Sequence, residues 1–333
     1  MRKLLRILGW TFGFLALLVG GCVAHANYRI SHDEVQAIDT QAPGQFFTVQ
    51  GHRLHVRVLG DLANLHGELP LLLIHGFALP GHETFLPWAH AELEPHRVLI
   101  LPDMLGYGFS ERNPVPGNYF TLQSYSRDLA GILDALGVAE VDVAGHSWGG
   151  MIAAQFALDH PDRVHRLALI DAGFFMPSSS PLEKIIHLPL GIGRAVAWHA
   201  LGDGPFSYVK LMCQQRRDCE LIPPTHIKGS SDTLQAMIYT SRHSDQIAAL
   251  EASLGRIHTA TLVLWGAQDQ IVPLATAEKL TRAMPAARSV VIEDAWHMPW
   301  LEEPAATAQP LLEFFAAPEK EAARPSQAAA GPG

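Results

Sequence analysis

Apolar positions in this chain fall mainly in short continuous runs, at residues 70–77, 97–101, 141–145, 164–170, 261–265 and 288–292. A run of strand length bounded by turn residues predicts a strand buried on both faces, as in a parallel sheet. Ahead of them, residues 46–50 and 54–59 alternate apolar with polar around Gly51, which predicts a hairpin. His52 and His55 lie in that hairpin and read as solvated strand positions. Between the runs the period changes. Residues 121–136 carry an amphipathic helical pattern closed by Gly137, with Ser126, Arg127, Asp128 and Asp134 on the expected solvated side. Residues 151–158 are apolar all round, a buried helix broken at His160-Pro161. Strands alternating with helices give an α/β fold: an eight-stranded, mostly parallel sheet with helices on both faces.

Two stretches fall outside this alternation. From 173 to 255 proline and glycine recur at Pro177, Pro181, Pro189, Gly191, Gly193, Gly202, Gly204, Pro205, Pro223 and Pro224, with short helical pieces between them. This predicts a helical cap inserted after the sixth strand and lying over the strand ends. Trp198, Phe206, Tyr208 and Met212 are candidate wall residues of a pocket beneath it. At the start, residues 1–6 are positive and 7–21 almost wholly apolar, the pattern of an export signal. Three outcomes fit. Leu18 to Cys22 resembles a lipobox that would leave Cys22 lipidated, Ala24-His25-Ala26 fits a cleavage site, and the uncleaved segment approaches the ~20 residues that span a bilayer. All three place the domain outside the cytoplasm. A membrane-associated lipoprotein or signal-anchored protein is expected, with a soluble secreted form as the alternative. The expected organisation is a signal or anchor over 1–26, a linker over 27–44, a core over 45–172 and 256–316, the cap over 173–255, and a disordered tail over 317–333.

Composition narrows the function. A net charge of −9, with no basic cluster beyond the N-terminus, argues against nucleic acid as a partner. The 18 histidines are scattered without metal-ligand spacing, so neither a metal nor another cofactor is expected. Of the three cysteines, Cys213 and Cys219 lie close together, and an oxidising compartment would permit a bridge between them.

The chemistry concentrates at strand ends. Gly145-His146-Ser147-Trp148-Gly149 carries a serine between two glycines on a strand-to-helix turn. Side chains at either glycine would collide with backbone, and the hydroxyl of Ser147 stands at a helix N-terminus, where developing negative charge is favoured. His75-Gly76 ends an earlier strand, so the backbone N–H groups of Phe77 and Trp148 are the candidate oxyanion donors. Asp269 and His297 each follow a later strand. Asp171, just past residues 164–170, is an alternative acid. His146 reads as a packing or hydrogen-bonding neighbour of the serine. Asp103 and Ser110 read as braces of a glycine-rich loop.

Taken together, His75-Gly76-Phe77, residues 103–110, residues 145–150, residues 265–269 and residues 297–304 resemble the α/β-hydrolase superfamily, in its branch of esterases, lipases, carbon–carbon bond hydrolases and non-metal haloperoxidases. The likeness spans about residues 46–315. Trp296 departs from it, since the family usually has glycine before the histidine, and an indole there would narrow the pocket or shift the imidazole. The resemblance implies a catalytic triad in the order Ser147, Asp269, His297 and acyl transfer from a small-molecule ester to water, without cofactor. A carboxylic-ester hydrolase is the leading expectation. A carbon–carbon bond hydrolase of the meta-cleavage type is the enzymatic alternative, and a silent binding protein the alternative of another class. Serine at the elbow speaks against haloalkane dehalogenases and epoxide hydrolases, which carry aspartate there.

Overall fold

The structure is a computed structural model describing residues 2–33, 42–65, 67–77, 81–111, 119–175, 188–193, 195–196 and 244–316. Cys213, Cys219, the four candidate wall residues, most of the expected cap and the tail from 317 lie outside the described residues.

The apolar runs form the sheet. β1 (Gln45–Val49) and β2 (His52–Leu59) pair through a two-residue turn in which Gln50 (φ 51°) and Gly51 (φ 84°) are both left-handed, the geometry that matches strand twist. They are followed by β3 (Leu71–Ile74), β4 (Leu99–Pro102), β5 (Val141–His146), β6 (Val164–Ile170), β7 (Ala260–Gly266) and β8 (Ala287–Ile292). The eight strands lie in the order β1-β2-β4-β3-β5-β6-β7-β8, antiparallel from β1 to β4 and parallel from β4 to β8. β3 and β5 are adjacent while the chain builds outward from them in opposite directions. That reversal opens a crevice at the carboxyl ends of these two strands, the place where open α/β sheets bind ligands.

Helices cover both faces. α1 (Arg2–Asp33) precedes the sheet. α2 (Leu122–Leu136) is capped at its start by Thr121, whose hydroxyl accepts the Ser124 N–H, and at its end by left-handed Gly137. α2, α3 (Trp148–Asp159) and α5 (Ala275–Ala283) pack on one face through Tyr125, Leu129, Ile152, Phe156 and Leu280. On the other face, α6 (Pro304–Ala316) and short helical turns over 81–93 bring Phe314, Phe85 and Trp88 together, with Trp300 between them. α4 (Ser244–Ser253) returns the chain to the sheet from the region assigned to the cap.

The structure revises three readings. α1 continues past residue 26 and takes up residues 27–33 of the expected linker, because no helix breaker occurs before Pro43. His55 is not solvated: residues 54–56 are all buried, since the loop after β4 closes over that end of the hairpin. Asp128 and Ser126 are also buried, and it is the β1–β2 turn and Tyr119 that pack over Asp128.

Asp128 accepts hydrogen bonds from Tyr119 Oη (2.8 Å) and Gln50 Nε2 (3.3 Å). Burial pushes its carboxyl up to about 7, and the bonds from Tyr119 and Gln50 and the charge of Arg127 offset only part of that. The folded protein therefore holds a proton there that the unfolded chain releases near pH 4. This contribution to stability is full below pH 4 and fades as pH rises through 7. Asp128→Asn, which fixes a neutral acceptor, is expected to stabilise the fold by roughly 1–3 kcal/mol at pH 8 and to change little at pH 4, read from denaturant midpoints at the two pH values.

Candidate active site

Ser147 sits at the join of β5 and α3 with φ 52° and ψ −118°, a conformation that costs a non-glycine residue about 1–3 kcal/mol. Close packing enforces it. A Cβ on Gly145 would lie 2.3 Å from the Gly149 carbonyl oxygen, and one on Gly149 would lie 2.4 Å from both the Ile74 and His75 oxygens. The elbow is therefore pressed against the end of β3. The Ser147 N–H donates to Ile170 O (2.9 Å), and its carbonyl accepts from Gly150 and Gly173 (both 3.0 Å). Backbone ties from three directions hold the hydroxyl up, and Ser147 itself stays half-buried.

The loops after β7 and β8 bring the other two residues to it. Gly266 is needed where these loops meet, because an added Cβ would lie 2.1 Å from the Trp296 carbonyl oxygen. His297 Nε2 is 3.1 Å from Ser147 Oγ, and His297 Nδ1 is 2.8 Å from Asp269 Oδ2. Asp269 Oδ1 accepts the N–H groups of Ile271 (2.7 Å) and Val272 (3.0 Å), so both carboxylate oxygens are committed. Asp269 and His297 are buried. Three residues far apart in sequence thus form one hydrogen-bonded chain, with its hydroxyl end open.

The surrounding residues hold that chain in place. His146 Nε2–H donates to the His297 carbonyl oxygen (2.8 Å), and its ring packs on Trp300 at 4.3 Å. Burial, and then the neighbouring His297, drive its pKa well below the ordinary histidine value, so it stays neutral and fixes the His297 backbone. His75 is neutral as well, lowered chiefly by burial. Its Nδ1–H donates to Gly76 O (2.9 Å) and its Nε2 accepts the Met104 N–H (3.1 Å), which fixes the backbone leading into Phe77. Phe77 and Trp148 face one another with ring centroids 6.0 Å apart. Trp296 does not displace the imidazole: its indole turns outward and donates to Gln268 Oε1 (2.8 Å).

A second polar cluster joins β2, the loop after β4 and the helical turn at residues 81–84. Asp103 Oδ2 meets His55 Nδ1 and its Oδ1 meets His82 Nδ1, both at 2.9 Å. Asp103 also accepts the N–H groups of His82 (2.6 Å) and Phe109 (2.8 Å), and Ser110 Oγ donates to its carbonyl (2.5 Å). Burial works to raise the Asp103 carboxyl, but His82 and His55 outweigh it and hold it well below the usual carboxylate range. Burial likewise works to lower His82, and Asp103 raises it overall. The sequence reading found Asp103 and Ser110 as braces and missed their histidine partners, because strand alternation alone gives no sign that a loop covers His55. The ring nitrogens facing Asp103 carry the protons of these bonds, so they offer no lone pair to a cation.

Asp171 stands beside the triad. It ends β6 with φ 44°, is fully buried, and accepts the Gly266 N–H through Oδ1 (2.9 Å). Ligand-type atoms of Asp171, Asp269 and His297 lie within 4.8 Å of one another. Burial and then the charge of Asp269 raise its carboxyl well above the usual range.

Comparison with known proteins agrees with this architecture. Residues 70–198 match a family model described as alpha/beta hydrolase fold. The chain is 32% identical to a 2-hydroxymuconate semialdehyde hydrolase of Pseudomonas sp. (strain CF600), over 77% of this chain and 91% of that protein. It is 30% identical to Lipase 1 of Psychrobacter immobilis, over 74% of this chain and 76% of that one. A solved thermophilic esterase from Thermogutta terrifontis superposes with a TM-score of 0.67 at 25% identity, over 85% of this chain and all of the other.

Proposed function

The chain belongs to the α/β-hydrolase family, and within it we propose a serine hydrolase of carboxylic esters, held at a membrane by α1. The observation that carries the catalytic reading is the unbroken relay from Ser147 through His297 to Asp269, at 3.1 and 2.8 Å. In this reading His297 Nε2 takes the Ser147 proton as Oγ attacks the ester carbonyl. Asp269 keeps the Nδ1–H tautomer and stabilises the imidazolium that forms. The N–H groups of Phe77 and Trp148 receive the oxyanion, each worth about 3–4 kcal/mol of barrier by analogy with other serine hydrolases. His297 then protonates the leaving alcohol and activates water for deacylation, and no step draws on a cofactor.

The relatives include a 2-hydroxymuconate semialdehyde hydrolase and a lipase, so carbon–carbon bond and ester cleavage are both represented among them. Turnover of p-nitrophenyl butyrate against a 2-hydroxy-6-oxo-dienoate separates them. The proposal expects kcat/KM for the ester to exceed that for the dienoate by about a hundredfold or more, the discrimination that one differently filled pocket supplies. The reverse order assigns carbon–carbon cleavage. A folded protein that turns over neither and takes no fluorophosphonate label is a binding protein on the same scaffold.

What supports membrane attachment is Arg6–Tyr28 within α1, 23 residues whose most apolar 18-residue window has a mean hydropathy of 2.0 and is not buried. At about 1.5 Å per residue such a helix spans the ~30 Å hydrocarbon layer. Arg2, Lys3 and Arg6 at its start favour a cytoplasmic N-terminus and a domain on the far side.

A further inference from the structure

Among the described residues, exposed large apolar side chains are not spread evenly. Among the described residues they are Ile7, Leu8, Trp10, Phe12, Phe14, Leu15, Leu17, Leu18, Val19 and Tyr28 on α1, Leu188, Leu190 and Val196 on the inserted region, and otherwise only Val291. The two groups meet. Ala26 on α1 is fully buried, and Asn27 Nδ2 donates to the Gly191 carbonyl oxygen (3.2 Å) as well as to Val23 O (2.8 Å). Gly191 is left-handed (φ 73°), and a Cβ there would come within 2.8 Å of the Asn27 side chain. The end of the apolar helix is therefore seated on the turn that displays Leu190, which is 89% exposed and itself left-handed at φ 60°. A leucine in that conformation, bare to water, is doubly unfavourable for a soluble surface.

One occupant accounts for both groups. A second copy of the chain could cover three side chains, but the adjoining helix has the length, hydropathy and positive flank of a bilayer span. A helix held in a bilayer and docked on this turn leaves the turn at the bilayer surface, where Leu188, Leu190 and Val196 find the apolar environment that water denies them. The inserted region also leaves the sheet at its catalytic edge: β6 ends beside Ser147, and the Gly173 N–H donates to the Ser147 carbonyl oxygen.

We infer that Leu188, Leu190 and Val196 enter the interfacial layer of the bilayer that holds α1, and that the ester cleaved at Ser147 is an acyl lipid drawn from that bilayer. This rests on the ester-hydrolase reading above and names its substrate class. The hydroxyl attacks the acyl carbonyl of the lipid, the carbonyl–oxygen bond to the lipid alcohol breaks, and that alcohol leaves with the proton held by His297. Water then releases the free fatty acid from Ser147.

The test uses the full-length chain reconstituted in vesicles of phosphatidylethanolamine and phosphatidylglycerol. Fatty acid release from the vesicle lipid is measured beside turnover of soluble p-nitrophenyl butyrate. The variant carries Leu188→Ser, Leu190→Asn and Val196→Ser, asparagine being chosen because it tolerates the left-handed backbone. Fatty acid release is expected to fall about tenfold or more, from the lost interfacial burial of three side chains, while p-nitrophenyl butyrate turnover stays at the wild-type value. Equal release by variant and wild type overturns the inference. So does a wild type that turns over p-nitrophenyl butyrate but releases no fatty acid, and this leaves the ester reading standing. A substitution set that dissociates a dimer without changing fatty acid release assigns the patch to a contact between copies and overturns it too. A folded wild type inactive on both substrates removes the ester reading and this inference with it.

Discussion

Ser147→Ala is expected to lower kcat toward p-nitrophenyl butyrate by roughly 10⁴- to 10⁶-fold, with KM nearly unchanged and fluorophosphonate labelling abolished. The size of the loss follows from what Oγ does. In the proposed mechanism it is the atom that attacks the carbonyl, and it stands at the end of the relay from Asp269 through His297. Binding should be spared because the proposed oxyanion donors are backbone groups of Phe77 and Trp148, which alanine at 147 leaves in place. The fold should also be spared. The ties that set this turn are the Ser147 N–H to Ile170 and its carbonyl to Gly150 and Gly173, all backbone to backbone, and the side chain provides no cap to α3. A thermal unfolding midpoint near that of the wild type, together with lost turnover, assigns the loss to chemistry. Retained turnover in a folded Ser147→Ala protein would remove the nucleophile from the proposal.

Much of this candidate site is legible in the sequence, for a physical reason. A parallel sheet buries its strands on both faces, so they appear as unbroken apolar runs, and the residues just past them converge on one edge. Ser147, Asp269 and His297 each follow such a run, and the 3.1 and 2.8 Å contacts are the outcome of that convergence. What escaped the reading was hidden by the same logic of burial. α5 spans only nine residues and buries Thr276, Ala277 and Leu280, too few turns for that stripe to stand out as a period along the chain. α6 contains Pro310, which in sequence looks like a break. The period of their own strand or helix points His55 and Asp128 to solvent. Both are covered by segments from elsewhere in the chain, the loop carrying Asp103 in one case and the turn at Gln50 in the other. Local periodicity reports which face of an element points inward. It cannot report that a distant loop makes a second inside.

Asp269→Asn is expected to lower kcat by roughly a thousand- to ten-thousandfold at neutral pH and to recover part of the loss as pH rises, which sets it apart from the double variant Asp269→Asn/Asp171→Asn. Asparagine cannot hold the Nδ1–H tautomer by charge, so the imidazolium loses its counter-ion. Asp171 lies within 4.8 Å of the same imidazole in the same buried space. In the wild type its carboxyl is held well above the usual range, first by burial and second by the charge of Asp269. Removing the charge at 269 removes the second cause and leaves the first. The Asp171 carboxyl then comes down from its raised position but stays above the usual carboxylate range, and it ionises only as the solution becomes more alkaline. Activity of the single variant should therefore climb across the alkaline limb, where the wild type is flat. The double variant should stay low throughout, having no group left to ionise. Asp171→Asn alone should retain most wild-type activity, since asparagine keeps an oxygen for the Gly266 N–H. Identical flat profiles for the single and double variants would confine Asp171 to holding the end of β7. A large loss in Asp171→Asn with little in Asp269→Asn would exchange the two carboxylates in the relay.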